Sequence, residues 1–215
     1  MIAVAHRLPR DAEARAAWLA AGVQRFEADV QLAPDGAVVV SHFLPFLRVR
    51  GWLQHDGTTF RWGSGGDPTL DEALGALPPS AGVLLDPKET RPSRRAALVA
   101  ALSAALPDRE RYIVSTDDDG DLAGYRAAGF RTWRTVKDAA TLRSVLAGPE
   151  LPDAGVSIRH TLLDRATVAR LHERCGQVVA WTVNDEGRAR SLLGDGVDGV
   201  TTDRPDVARL VTEGR

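Results

Sequence analysis

The chain has 215 residues, 44% of them hydrophobic, and its 27 lysines and arginines against 29 acidic residues give a net charge of −2. Such a chain suits one domain around one sizeable core, and its balanced charge argues against nucleic acid or an anionic membrane as the main partner. The single cysteine excludes an intrachain disulfide. No apolar run resembles a signal peptide or approaches the roughly 20 residues of a membrane span. We therefore expect a cytoplasmic protein without stable membrane insertion, and the sequence gives no indication of its oligomeric state.

Short apolar segments alternate with longer amphipathic ones along most of the chain. The predicted strands are residues 2–5, 25–32, 36–41, 82–85, 112–115, 130–134, 156–158, 178–183 and 197–201. The predicted helices are residues 11–21, a segment that begins near Thr69, and residues 93–106, 121–128, 138–146, 164–174, 186–193 and 205–211. Repeated strand-then-helix units are typical of a parallel sheet with helical crossovers. About eight units favour a single α/β domain over residues 1–215, a closed (β/α)8 TIM barrel rather than an open doubly wound sheet.

Residues 43–68 interrupt this pattern after the second unit. They are rich in glycine and aromatic residues and have no clear period, so we predict a short insertion that forms a loop, with a hairpin around His55-Asp56-Gly57. Directly after the insertion, Thr69 and Glu72 have the spacing of a capping box, which predicts the start of a helix.

The second predicted strand carries two carboxylates on one face. Alternate side chains of a strand point to opposite faces, so Glu27 and Asp29 share one face while Phe26, Ala28 and Val30 share the other. The apolar set can pack under helices, and the carboxylates must then point into the barrel or its mouth. Two such charges about 7 Å apart are costly in a low-dielectric site unless a cation joins them. A divalent metal with oxygen ligands satisfies that requirement, whereas a solvated acidic edge strand is the alternative.

Further polar residues follow other predicted strands. Asp86 and Lys88 share a face at the end of an apolar strand, where they can serve as a metal oxygen and a phosphate ligand or as a local ion pair. His6 and His42 also end strands, and the carboxyl ends of barrel strands hold the active site. Two histidines can remove and supply the protons of phosphodiester cleavage, while a metal, Arg7 and Lys88 stabilise charge on the phosphorus oxygens.

The order of these motifs resembles the glycerophosphodiester phosphodiesterase family, and the resemblance extends over nearly the whole chain. The matching segments are His6-Arg7, residues 27–36 (EADVQLAPDG), residues 39–42 (VVSH) followed by Arg48, residues 68–72 (PTLDE), residues 86–88 (DPK), residues 181–184 (WTVN) and residues 196–205 (GVDGVTTDRP).

The resemblance implies an enzyme, a phosphoric diester hydrolase that converts a small-molecule glycerophosphodiester to sn-glycerol 3-phosphate and an alcohol. It also implies a divalent metal, Mg²⁺ or Ca²⁺, and roles for eight residues. The metal ligands would be Glu27, Asp29 and Asp86; the acid/base pair would be His6 and His42; and the substrate-binding residues would be Arg7, Lys88 and Trp181.

Three departures from the family pattern leave two other hypotheses open. Leu8-Pro9-Arg10-Asp11 replaces the usual Gly and Pro-Glu-Asn-Thr segment, Phe43 stands where Asp usually follows the histidine, and Asp86 stands where Glu is commoner. One alternative is a phospholipase D-like lyase that forms a cyclic phosphate. The other is a non-catalytic barrel that binds a phosphorylated ligand, although the presence of both histidines favours catalysis.

Overall fold

Eight successive strand–helix units form the chain. The computed structural model describes residues 1–33, 35–42, 44–48, 52–55, 60–63, 67–89, 91–149 and 151–214. The strands of the units are β1 (Ile2–Ala5), β2 (Arg25–Leu32), β3 (Gly82–Pro87), β4 (Tyr112–Thr116), β5 (Arg131–Val136), β6 (Leu151–Arg159), β7 (Cys175–Trp181) and β8 (Gly199–Thr202). The helices are α1 (Ala12–Ala20), α2 (Leu70–Gly75), α3 (Pro92–Ala105), α4 (Asp119–Ala127), α5 (Ala139–Ala147), α6 (Arg165–His172), α7 (Glu186–Asp195) and α8 (Pro205–Glu213).

The eight strands close into a parallel barrel. Each strand pairs with the next along the chain, and β1 pairs with both β2 and β8. Ile2 stands opposite Gly199 of β8, while Val4 stands opposite Arg25 of β2. Because the first strand bridges the second and the last, the sheet has no free edge among these strands. The predicted (β/α)8 barrel is therefore confirmed over the open sheet.

Within the described ranges, buried apolar side chains form two clusters, one on each side of the barrel wall. The larger cluster joins the outward-facing strand residues Phe26 and Ala28 to helix residues such as Leu98 and Leu102, all with 0% exposure. The smaller cluster fills the barrel interior and consists of Ile2, Val4, Leu84, Ile113, Trp133 and Val179. Because side chains alternate along each strand, one set packs outward against the helices and the other points into the barrel. Toward the carboxyl ends of the strands, the inward-pointing side chains are polar and line the cavity.

Two inward-facing glycines make room for large neighbours inside the barrel. A Cβ at Gly155 would lie 2.5 Å from the indole ring of Trp133, and a Cβ at Gly199 would lie 2.1 Å from the carbonyl oxygen of Ile2. Both distances are far below van der Waals contact. Only glycine therefore leaves enough space at these two positions, for the indole ring of Trp133 at Gly155 and for the backbone of β1 at Gly199.

Most helices begin with a side chain that accepts a hydrogen bond from a backbone N–H of the first turn, which satisfies one of the free donors there. The capping residues are Asp11, Thr69, Asp118, Asp138, Asp164 and Asp185. The predicted capping box is confirmed, because Thr69 N–H donates to Glu72 Oε2 at 2.8 Å and Glu72 N–H donates to Thr69 Oγ1 at 3.3 Å. Of the described helices, none has the length and apolar character needed to cross a bilayer.

Additional strands lie between β2 and α2. Val38–Val40 runs antiparallel to β2. Leu44–Arg48, Trp52–His55 and Phe60–Gly63 form a separate antiparallel sheet of three strands. The interpretation of this insertion as a loop is wrong for these strands, although the predicted hairpin is confirmed by the pairing of His55 with Phe60. Each of these strands has only four or five residues, and Leu44–Arg48 and Trp52–His55 place two apolar residues side by side, so the sequence shows no clear period-two pattern there.

The single cysteine gives a first testable prediction. Cys175 is 6% exposed, its thiol donates to the carbonyl oxygen of Leu171 at 3.3 Å, and burial raises the pKa of the thiol to about 11. The thiolate is the reactive form, so at pH 8 only about one thiol in a thousand is reactive even where reagent can reach it. Native protein is expected to give no absorbance change with Ellman's reagent at pH 8, and one equivalent of thiol after denaturation in guanidinium. Full reaction of the native protein within minutes would contradict this burial.

Candidate active site

Three acidic side chains converge near the carboxyl ends of β2 and β3. Glu27 and Asp29 lie two residues apart on β2, and Asp29 stands beside Asp86 of β3 in parallel register. One carboxylate oxygen of each lies within 4.8 Å of the other two. Only 5% of Glu27 and 6% of Asp29 are exposed. The structure therefore brings together the three residues to which the resemblance assigns a metal.

The acidic cluster requires positive charge. Burial, followed by the nearby Asp29 and Asp86 carboxylates, raises the pKa of Glu27 well above its usual value. Burial also raises the pKa of Asp86. It acts in the same direction on Asp29, but the hydrogen bond with His42 and the ammonium of Lys88 lower the pKa of Asp29 to about 2. Two buried carboxylates and the half-buried one of Asp86, with ligand oxygens this close, fit a hard divalent cation, which would stabilise all three in the ionised form.

Lys88 supplies part of that positive charge. Its Nζ lies 2.9 Å from Asp29 Oδ1 and 2.7 Å from Asp86 Oδ2. Burial disfavours the ammonium, but the two carboxylates outweigh this and raise the pKa of Lys88. The side chain predicted to bind phosphate is thus held, charged, against the acidic cluster by a pair of charge-assisted hydrogen bonds.

Each predicted catalytic histidine is held by a carboxylate. His42 Nδ1 lies 3.0 Å from Asp29 Oδ2, and His6 Nδ1 lies 2.7 Å from Asp203 Oδ1. Both side chains are 27% exposed. A carboxylate acceptor favours a proton on Nδ1, which leaves Nε2 of a neutral imidazole able to accept a proton. Both rings line one cavity of about 710 Å³ at the carboxyl ends of the strands.

Asp203 and Asn184 are site residues to which the sequence reasoning gave no role. Asn184 Nδ2 donates to Asp203 Oδ2 at 2.7 Å, and Asn184 Oδ1 accepts from the Asp203 backbone N–H at 2.8 Å. Burial opposes ionisation of Asp203, but the hydrogen bonds with Asn184 and His6 lower the pKa of this carboxyl. Both residues lie in segments that match the family motifs, residues 181–184 and 196–205, and this match was the signal in the sequence that could have pointed to them. The contact between the two segments becomes visible only in the folded structure.

Arg7 takes part in the site through its backbone. Its φ of 61° lies in the left-handed region, and its N–H donates to Glu27 Oε2 at 2.7 Å. A non-glycine residue in this region costs about 1–3 kcal/mol and persists only where its surroundings hold it there, as Glu27 does through this hydrogen bond. The Arg7 side chain is exposed and, within the described part of the chain, is not among the residues that line the cavity. Lys88 and Trp181 do line it, while Phe43 lies outside the described residues.

Comparison with known proteins identifies the family. The family model described as the glycerophosphoryl diester phosphodiesterase family matches residues 93–207, which is more than half of the chain. A Bacillus subtilis protein, provisionally named as a glycerophosphodiester phosphodiesterase, is 41% identical over 51 residues. That match covers 24% of this chain and 21% of the relative, so it spans about a fifth of the relative's length.

Solved structures share the fold. A phosphodiesterase from Oleispira antarctica, in complex with the product sn-glycerol-3-phosphate, is 20% identical with a TM-score of 0.74 and covers 99% of this chain and 97% of its own. The glycerophosphodiester phosphodiesterase of Thermotoga maritima is also 20% identical, with a TM-score of 0.72 over 100% and 98% of the two chains. The chain therefore shares its barrel fold with these two phosphodiesterases. Because the family model matches more than half of its residues, the chain belongs to the glycerophosphoryl diester phosphodiesterase family, a family of phosphoric diester hydrolases.

Proposed function

We propose that the protein is a metal-dependent enzyme that hydrolyses a glycerophosphodiester to sn-glycerol 3-phosphate and an alcohol. The observation that carries this proposal is the position of the three carboxylates Glu27, Asp29 and Asp86 in one cavity with two histidines, each hydrogen-bonded to a carboxylate. Family membership supports the reaction class. The sn-glycerol-3-phosphate bound by the Oleispira antarctica enzyme, which has the same fold, supports the product.

We propose that Glu27, Asp29 and Asp86 hold the metal, Mg²⁺ or Ca²⁺, because their carboxylate oxygens are the ligand type that both ions prefer. When bound, such an ion supplies Lewis-acid charge stabilisation for the phosphorus oxygens. Lys88 adds a positive charge beside the same carboxylates, and the exposed side chain of Arg7, which follows β1 and lies outside the described lining of the cavity, carries another. These two cations and Trp181 in the cavity wall are the proposed substrate-binding residues.

His6 and His42 are the proposed proton-transfer residues. Nε2 of one histidine removes the proton from the attacking hydroxyl or water, and Nε2 of the other donates a proton to the leaving oxygen. Asp29 and Asp203 keep the two rings oriented through Nδ1. Since both carboxyls have lowered pKa values, they stay ionised at neutral pH and somewhat below, so they continue to orient the two rings there.

Metal removal tests this proposal. Treatment with EDTA is expected to abolish hydrolysis of bis(p-nitrophenyl) phosphate, and excess Mg²⁺ or Ca²⁺ is expected to restore it. Addition of metal should also raise the melting temperature, because it binds only the folded cluster. Glu27→Gln serves as the matched variant: without metal it should be at least as stable as the natural protein, since it lacks a buried acid, but metal should no longer stabilise it. Metal-independent turnover would contradict the proposal and favour a binding role.

Asp203 provides a separate prediction about ring orientation. Asp203→Asn keeps the shape of the side chain but weakens its bond with His6, so kcat is expected to fall by about 10–100-fold, on the scale seen when partners that orient imidazole ligands are changed. KM should change little, because Asp203 contacts the imidazole rather than substrate. An unchanged kcat, measured against glycerophosphocholine with ³¹P NMR of the product, would contradict this role. The same spectra test hydrolysis, since a persistent cyclic phosphate would indicate a lyase.

A further inference from the structure

The cavity above the barrel has two opposite walls. The acidic cluster lies on β2 and β3, whereas β6 stands four strands away from β2 in either direction around the barrel. β6 ends at Arg159, which pairs in parallel register with Trp181 at the end of β7. Both residues line the same cavity as the acidic cluster and the two histidines. A substrate whose phosphate lies at the acidic wall therefore has room to extend toward Arg159.

Arg159 differs from the other basic side chains that line this cavity. Lys88 is paired with Asp86, Arg95 with Asp118, and Lys137 with Asp117. The Arg159 guanidinium makes no hydrogen bond or ion pair with any residue that the structure describes; it lies 5.6 Å from the centre of the Trp181 ring. Stacking on an aromatic face orients a guanidinium and leaves its N–H donors available.

The charge of the lining makes this free guanidinium selective. Among the residues that the structure describes, six carboxyl groups line the cavity, from Glu27, Asp29, Asp86, Glu89, Asp117 and Asp121. The other lysine and arginine side chains of the described lining, those of Lys88, Arg95 and Lys137, are already engaged by carboxylates, so they attract a further anionic group on the alcohol part of a substrate less strongly than an unpaired guanidinium does. At the opposite wall, Arg159 presents a planar fork of donors that matches a carboxylate or a phosphate. An anionic alcohol would therefore be held in one orientation, away from the acidic cluster.

From this geometry we propose that Arg159, supported by Trp181, recognises an anionic substituent on the leaving alcohol, a carboxylate or a phosphate monoester. The inference rests on the proposed function, because it assumes a phosphodiester at the acidic wall. It makes Arg159 a specificity-determining residue, and the preferred substrates would be diesters whose alcohol carries a negative charge.

Matched substrate pairs test this inference. Glycerophosphoserine and glycerophosphoethanolamine differ by one carboxylate, and glycerophosphoinositol 4-phosphate and glycerophosphoinositol differ by one phosphate monoester. In the natural protein, kcat/KM for the anionic member of at least one pair is expected to exceed that of its partner by about tenfold, the effect of one charge-assisted hydrogen bond. In Arg159→Met, which keeps an apolar side chain over Trp181, that ratio should approach one. The pair that responds identifies the anionic group.

A control variant that also loses one positive charge separates a direct contact between Arg159 and the substrate from a change in the electrostatic field of the whole protein. Arg190→Met also removes one positive charge, but Arg190 is exposed on α7 and pairs with Glu186, so its ratios should equal those of the natural protein. The inference would be overturned if the ratio of kcat/KM between the two members of each pair were the same in the natural protein and in Arg159→Met. It would also be overturned if Arg190→Met lowered that ratio as much as Arg159→Met does. Either result would leave the proposed function intact. Failure of all four esters to react, with bis(p-nitrophenyl) phosphate still cleaved, would overturn the glycerophosphodiester assignment itself.

Discussion

His42→Ala is expected to lower kcat for glycerophosphocholine hydrolysis by about 10²–10⁴-fold, the usual contribution of a general acid or base. The imidazole lies in the cavity and is held through Nδ1 by Asp29, so its loss removes a proton-transfer group that water replaces poorly. The measurement is steady-state turnover at saturating metal, with a metal titration to show that the acidic cluster still binds. His172→Ala is the control: His172 bonds the carbonyl oxygen of Gly196, and its loss should leave turnover unchanged.

A change of the leaving group in the substrate shows which of the two histidines acts as the general acid and which as the general base. p-Nitrophenolate leaves without protonation, whereas choline requires a general acid. The variant that lacks the acid should therefore lose much less activity on bis(p-nitrophenyl) phosphate than on glycerophosphocholine, while the variant that lacks the base should lose activity on both. Equal turnover of His6→Ala, His42→Ala and the natural protein on both substrates would exclude the two-histidine mechanism.

Gly199→Ala is expected to reduce the free energy of unfolding by about 3 kcal/mol or more, because overpacking against rigid backbone is among the severe effects of single substitutions. The added methyl group would lie 2.1 Å from the Ile2 carbonyl oxygen. That atom belongs to β1, which closes the barrel against β8, so it cannot move without opening the pairing. Urea denaturation followed by circular dichroism measures the change.

Gly194→Ala is the matched control for this substitution. Gly194 lies in α7, and a Cβ there would meet no atom within 4 Å. Alanine is favoured over glycine in a helix by about 0.5–1 kcal/mol, so this variant should be slightly more stable than the natural protein. If both alanine variants had the same denaturation midpoint, the close approach of β1 and β8 at Gly199 would be excluded.

Much of the fold and the acidic part of the site could be predicted from local patterns. The alternation on β2 places Phe26 and Ala28 under the helices and Glu27 and Asp29 in the cavity, as the sequence indicated. This succeeded because strand geometry fixes which face a residue takes as soon as the strand is identified. The three antiparallel strands of the insertion were not predicted, because segments of four or five residues are too short to show a clear alternation of apolar and polar side chains.

The remaining site residues depend on contacts that no local pattern reports. Asp203 meets His6 across 197 positions of the chain, and only barrel closure brings them together. Arg159 lies one residue beyond the predicted strand 156–158, whereas β6 continues to it; strand ends are the least certain part of such predictions. Lys88 illustrates the opposite case, because the sequence placed it correctly but could not show that Asp29 and Asp86 both bind its ammonium.

Closure of β1 against β8 has a consequence for how the protein is made. During synthesis on the ribosome β8 emerges after the other seven barrel strands, so β1 stays without one of its two neighbours until the last strand of the barrel is available. Strand pairings between residues so far apart in the sequence form slowly, because the chain loses the entropy of a large loop before the pairing stabilises it. His6 follows β1 and Asp203 follows β8, so their hydrogen bond requires the closed barrel, and the orientation of this imidazole depends on the same long-range pairing.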